Sequence, residues 1–197
     1  MRHFSLDVIR DEHQALAAML RSLSMMLVQA RRENAMPDFE VLRAMVFYID
    51  EFPERLHHTK ESELLFPKIR ARVPELGAVL DRLDSEHAQG ERAIRDLEHG
   101  LLAFEVMGEP RRAAFEQAVE TYIRFYLAHM GVEESEVLPA ATRALTEADW
   151  DELDAAFAAN QDPLTGRHEA TPDYQPLFRR ILMQAPAPIG LGPSHAH

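Results

Sequence analysis

His57-His58-Thr59-Lys60-Glu61-Ser62-Glu63-Leu64-Leu65-Phe66-Pro67 finds a second copy of its chemistry 72 residues later, in His129-Met130-Gly131-Val132-Glu133-Glu134-Ser135-Glu136-Val137-Leu138-Pro139. The two segments align without a gap, placing His57 on His129, Glu61 on Glu133, Leu65 on Val137, Phe66 on Leu138 and Pro67 on Pro139. On a helix, positions i and i+4 stack about one turn apart, so His-x-x-x-Glu turns an imidazole and a carboxylate toward one point. Such a pair suits a metal ion. His58 aligns with Met130 and has no counterpart in the repeat.

The duplication extends upstream. Glu12-His13 followed by Leu23 matches Glu86-His87 followed by Leu97. Each half therefore reads as a helix with one histidine and then a helix with His-x-x-x-Glu, and this repeat sets the architecture.

Composition narrows what such a site can be. A chain of 197 residues, 46% of them hydrophobic, can bury one sizeable core. Cysteine is absent, which leaves nitrogen and oxygen as the metal donors and removes thiolate and iron–sulfur chemistry. A net charge of −12 with no local Lys/Arg cluster argues against a nucleic-acid partner. No apolar run approaches the roughly 18–20 residues of a membrane span, and Met-Arg-His-Phe-Ser-Leu-Asp lacks the apolar stretch of a signal peptide. The expectation is a soluble cytoplasmic protein.

Apolar residues at helical spacing (Leu6, Ile9, Leu16, Leu20, Leu23, Leu27) predict a first helix from Leu6 to about Arg32, with His13 on its inward stripe. A second runs from about Phe39 to Arg72, with Pro53 expected to kink or open it one turn before His57. A third follows from Glu75 to about Val106, ended by Met107-Gly108-Glu109-Pro110, and a fourth from Arg111 to about Val137. Thr146-Glu147-Ala148-Asp149 reads as a capping box opening a shorter helix to about Ala159. Residues 1–140 are thus expected to form a four-helix unit, and residues 141–197 a short helix and an irregular tail that packs on it and carries no chemistry of its own.

The turns fall where the histidines need them. In antiparallel helices, residues equidistant from a turn lie side by side. The midpoint of His13 and His57 is residue 35, that of Thr59 and His87 is 73, and that of His87 and Gly131 is 109, all in predicted breaks. An all-α, antiparallel up-down-up-down four-helix bundle then brings His13, His57, Glu61, His87, His129 and Glu133 to one level of its core. Buried glutamates must be paired or bound to a cation. The set divides into two His-His-Glu halves, an arrangement suited to two non-haem iron ions, with zinc or manganese compatible with the same donors.

These residues resemble the hemerythrin-like HHE cation-binding proteins over about residues 5–140. The resemblance rests on His13, on His57-x-x-x-Glu61 followed by Leu65-Phe66-Pro67, on His87, and on His129-x-x-x-Glu133. It implies two iron ions in an oxo- or hydroxo-bridged di-iron centre inside a four-helix bundle. The oxygen-carrying members have a fifth histidine one turn after the one on the third helix, where this chain has Glu91. Four His and two Glu look more like the subgroup that includes the iron-centre repair proteins, although those often carry an extra N-terminal domain with cysteines and this sequence has no cysteine. The resemblance implies interaction with O2, peroxide or nitric oxide, or the donation or storage of iron, ahead of simple O2 carriage.

Two alternatives stand beside this reading. A ferritin-like carboxylate site needs Glu-x-x-His twice, and Glu54-Arg55-Leu56-His57 supplies it once, because Tyr126 stands three before His129. A metal-free helical interaction module would purify colourless and stay folded. Glu91, one turn from His87, could ligate weakly, accept a hydrogen bond from a metal-bound water, or point to solvent. His58, about 100° round the helix from His57, is expected at the surface or hydrogen-bonded beside the ligands rather than as one of them. His3, His99, His168, His195 and His197 fall outside the ligand level. Glu12 and Glu86 are candidates to orient histidine rings, and Met19, Leu20, Phe47, Leu64, Leu65, Phe125 and Val137 are expected in the core.

Overall fold

The computed structural model describes residues 3–192, which are all-helical, with no strand among them. Four long helices position the site. α1 is Phe4–Arg32 and α3 is Gly77–Met107. α2 spans residues 39–72 as the continuous segments Phe39–Ile49, Asp50–His57, His58–Lys60, Glu61–Leu65 and Phe66–Arg72. α4 spans residues 109–144 as Glu109–Val132, Glu133–Val137 and Leu138–Ala144. α1 packs on α2 and on α4, α2 packs on α3, and α3 packs on α4.

The breaks follow local chemistry. Asn34 adopts φ +51° where α1 ends, and the Asp38 carboxylate accepts the N–H groups of Glu40 and Val41 at 3.0 and 3.1 Å to start α2. Between α3 and α4 a single residue, Gly108 at φ +72°, makes the reversal that the sequence spreads over Met107 to Pro110. Pro110 fits directly inside α4, where a missing N–H costs nothing.

Three segments widen into π-helix, and two of them repeat. Glu61–Leu65 and Glu133–Val137 each close with a bond from residue i+5, Phe66 N–H to the Glu61 carbonyl and Leu138 N–H to the Glu133 carbonyl. Pro67 and Pro139 follow immediately. A proline ring clashes with the carbonyl four residues back, and the wider turn relieves that clash. For this reason α4 does not stop near Val137 as expected but continues past Pro139 to Ala144, so residue 140 lies within a helix. The third segment, Asp50–His57, contains Pro53, and α2 opens there as the sequence suggests, with His58 N–H bonded to the Pro53 carbonyl.

Two apolar clusters bracket the level of the histidines. One includes Leu16, Leu20, Leu23, Met45, Ile49, Leu97, Leu101 and Phe104, and the other Ile9, Leu65, Phe66, Ile69, Leu83, Val137, Leu138 and Trp150. Each such side chain contributes roughly 1.5–3 kcal/mol when fully buried, so the polar centre is held between two strong apolar plates. Phe47, expected inside, is 42% exposed, and Leu64 and Phe125 are half-buried.

The C-terminal residues pack on this frame. α5, Glu147–Phe157, opens with the expected Thr146/Asp149 capping box and packs on α1, where Ser5 donates from N and Oγ to Asp154 at 2.8 and 2.6 Å. α6, Gln175–Gln184, buries Phe178 and Ile181 against α2. No helix among the described residues is long and apolar enough to cross a membrane.

Candidate metal centre

His13 on α1, His57 and Glu61 on α2, His87 on α3, and His129 and Glu133 on α4 all point into the space between the two apolar plates and are all buried. The histidines meet in pairs. His13 Nε2 lies 3.2 Å from His57 Nε2, and His87 Nε2 lies 2.9 Å from His129 Nε2. Glu61 Oε2 is 3.3 Å from His57 Nε2 and 3.6 Å from His87 Nε2, so one carboxylate touches both pairs. Glu133 does the same with its two oxygens, Oε2 at 3.4 Å from His13 and Oε1 at 3.2 and 3.7 Å from His129 and His87.

Outer hydrogen bonds decide which nitrogen faces inward. His57 Nδ1 donates to Glu12 Oε2 at 2.7 Å, His129 Nδ1 to Glu86 Oε2 at 2.8 Å and His13 Nδ1 to Glu134 Oε1 at 3.1 Å, while His87 Nδ1 lies 2.8 Å from Ser62 Oγ. A carboxylate only accepts, so in His13, His57 and His129 Nδ1 carries the hydrogen and the Nε2 lone pair is turned to the centre. Glu12 and Glu86 thus each orient the histidine of the neighbouring helix rather than the one beside them in sequence. Ser62 and Glu134 occupy equivalent positions of the repeat and serve the two lone histidines crosswise.

This arrangement fits a cation. Two Nε2 lone pairs facing each other at 2.9–3.2 Å repel unless a positive charge lies between them. An ion bonded to two imidazoles at about 2.0–2.1 Å and at right angles would hold them about 3 Å apart. All four carboxylate oxygens of Glu61 and Glu133 are buried without a hydrogen-bond partner, a state that costs several kcal/mol per uncompensated charge. Without metal, protons take part of that role. Burial disfavours charge on His129, but its contact with the Glu133 carboxylate outweighs this and lifts it to about 9. Burial likewise opposes charge on His13 and His57, and the neighbouring carboxylates raise both. Glu133 is held low against burial by His129 and His13, whereas burial and the charge of Glu133 push Glu61 up.

The residues around these six take the following places. His58 is not at the surface. It is buried, its ring centroid lies 4.4 Å from that of His87, and one of its nitrogens gathers with ligand atoms of Glu61, His87 and His129 within 4.8 Å of one another. Glu91 turns outward, 51% exposed, and pairs with Arg95. Glu54, the residue a ferritin-like site would use, accepts from Tyr122 Oη at 2.7 Å, from Tyr126 Oη and from His58 Nδ1 at 3.1 Å instead of facing the centre. The tail also takes part, because Asn160 Nδ2 donates to Glu12 Oε2 at 3.0 Å and so steadies the partner of His57. No spacing in the sequence announces Asn160. His3 stacks on Trp150 with ring centroids 4.0 Å apart, His99 is exposed and His168 half-buried, while His195 and His197 lie outside the described residues.

An all-helical protein with a buried cluster that fits a four-His, two-Glu site defines a class of cation-binding helical domain. The Hemerythrin HHE cation binding domain matches residues 5–141, and the chain belongs to that family. No curated protein matches it.

Proposed function

We propose that this centre holds two iron ions and meets a small ligand (O2, peroxide or nitric oxide) in order to sense or scavenge it, or else stores and donates the iron. His13, His57 and Glu61 are assigned to one ion, and His87, His129 and Glu133 to the other, with both glutamates spanning the two. One observation carries the reading: four buried carboxylate oxygens without hydrogen-bond partners face four inward Nε2 atoms. The separation of the histidines into two pairs favours two ions over one, and the reach of Glu133 to both pairs supports a shared carboxylate. A donor set of imidazole and carboxylate suits iron, with zinc and manganese as the alternatives to be excluded.

Iron bound here would supply open coordination positions and electron transfer toward the ligand. The chain supplies the rest. Glu12, Glu86 and Glu134 hold the Nδ1 protons and fix the rings, and the apolar plates exclude water. The reading also takes α1–α4 as an up-down-up-down bundle, supported by their short connections and neighbour order, and residues 141–197 as an appendage to it.

The test is to purify the protein from iron-supplemented cells, count metals by elemental analysis, and record optical spectra anaerobically and after O2, peroxide and nitric oxide. About two irons per chain and a charge-transfer band near the ultraviolet edge, changed by one of the three ligands, are expected. One zinc per chain, or a folded colourless protein that takes up no iron, would refute it.

A further inference from the structure

The two halves of the repeat do not offer the same number of imidazoles. At the position after the His-x-x-x-Glu histidine, the first half has His58 and the second has Met130, and both are buried. The His58 ring stacks on that of His87, with centroids 4.4 Å apart and planes 15° from parallel, which encloses it beside the cluster. It is also held as the other histidines are held. His58 Nδ1 bonds to Glu54 Oε2 at 3.1 Å, much as Glu12, Glu86 and Glu134 hold His57, His129 and His13. Glu54 is anchored in turn by Tyr122 and Tyr126, and its repeat-equivalent is Tyr126 itself. A buried imidazole with Nδ1 pinned by a buttressed carboxylate keeps one nitrogen to offer, and a nitrogen of His58 clusters with Glu61, His87 and His129.

We propose that His58 is a fifth imidazole ligand, reaching from α2 to the ion held by His87 and His129. That position then has three histidines and the other has two, so the ions are inequivalent, and the His13/His57 ion keeps the greater share of exchangeable positions. A groove of about 440 Å³ lined by Glu54, His58, Ser62, Asp84, His87 and Glu91 lies beside this position.

This inference rests on the two-ion reading, and the test separates the failures of the two. Wild-type protein and the His58→Ala variant are loaded with ferrous iron anaerobically, dialysed against a chelator and analysed for metal. Wild type should keep about two ions. His58→Ala should lose one of them at least about tenfold faster, and added imidazole should restore retention, which it would not do for a residue that only positions others. A wild type that never holds two ions overturns both readings. A wild type with two ions and a His58→Ala variant of unchanged retention overturns this one alone. Should the variant fold poorly, nitrogen NMR of zinc-loaded wild type decides the matter. Five histidine ring nitrogens at metal-bound shifts are expected, from His13, His57, His58, His87 and His129, whereas four would contradict the proposal.

Discussion

The two halves of the molecule agree in the residues that meet at the centre and differ in the residues packed around them. Glu12–His57 and Glu86–His129 are the same hydrogen bond made twice, and Glu61 and Glu133 begin the same π turn before the same proline. Around this common set the equivalents diverge: Ser62 against Glu134, His58 against Met130, Glu54 against Tyr126. The repeated residues form the buried His/Glu cluster on which the two-ion proposal rests. The unrepeated ones give each histidine pair its own surroundings, a carboxylate behind His13 and a hydroxyl behind His87.

Removing a shared carboxylate should have the largest effect. Glu61→Ala and Glu133→Ala each delete a group that touches both histidine pairs, so both ions should be lost rather than one, with a fall in affinity of about 100-fold or more by elemental analysis after dialysis. Loss of one ion from each variant would mean that the glutamates do not bridge.

Gly90 tests the divergent side of the comparison. A Cβ there would lie 1.7 Å from Tyr126 Oη and 3.0 Å from Glu54 Oε1. Gly90→Ala should therefore destabilise the protein by about 3 kcal/mol in denaturant titration and disturb the tyrosine–Glu54–His58 chain.

The C-terminal segment makes a polar contact with the first half that has no repeat-equivalent among the described residues. Tyr48 Oη donates to the buried Asp162 at 2.6 Å, whereas the equivalent of Tyr48 is the exposed Glu120. Burial raises the Asp162 carboxyl to about 6, above the roughly 3.9 of an unfolded chain. The native state holds that proton more tightly, so the stability it lends is full below about pH 4 and is lost as pH rises through 6. Denaturant titrations should show a loss on the order of 1–3 kcal/mol between pH 4 and 8 that Asp162→Asn removes.

Smaller effects should follow the outer partners. Glu12→Gln and Glu86→Gln should each weaken metal retention by about 10–100-fold, and by similar factors, since they serve equivalent bonds. Glu134→Ala and Ser62→Ala should each cost only a few-fold, with Glu134→Ala the worse because a carboxylate holds the Nδ1 proton more strongly than a hydroxyl. A much larger difference between Glu12 and Glu86 would show that the halves are less alike than their geometry.

The common set was legible in the sequence because it obeys two regular spacings, i to i+4 on a helix and 72 residues between copies. The turns near residues 35, 73 and 109 lie where that register requires. The divergent set was not. His58 seemed to point away because an ideal helix turns about 100° per residue, yet a π segment ends at His57 and another begins at Glu61, and with the close approach of α3 the ring is enclosed. Asn160 reaches Glu12 across 148 residues, a contact with no local pattern. The π turns themselves had only Pro67 and Pro139 as signals, and a proline by itself reads equally well as an end, which is why α4 was expected to stop too soon.

Anomalous diffraction at the iron absorption edge, from crystals of the iron-loaded protein, tests the central claim most directly. Two peaks are expected between the apolar plates, one beside the Nε2 atoms of His13 and His57 and one beside those of His87 and His129, with Glu61 and Glu133 reaching both. A single peak, or none with ordered water between the histidines, would contradict the account.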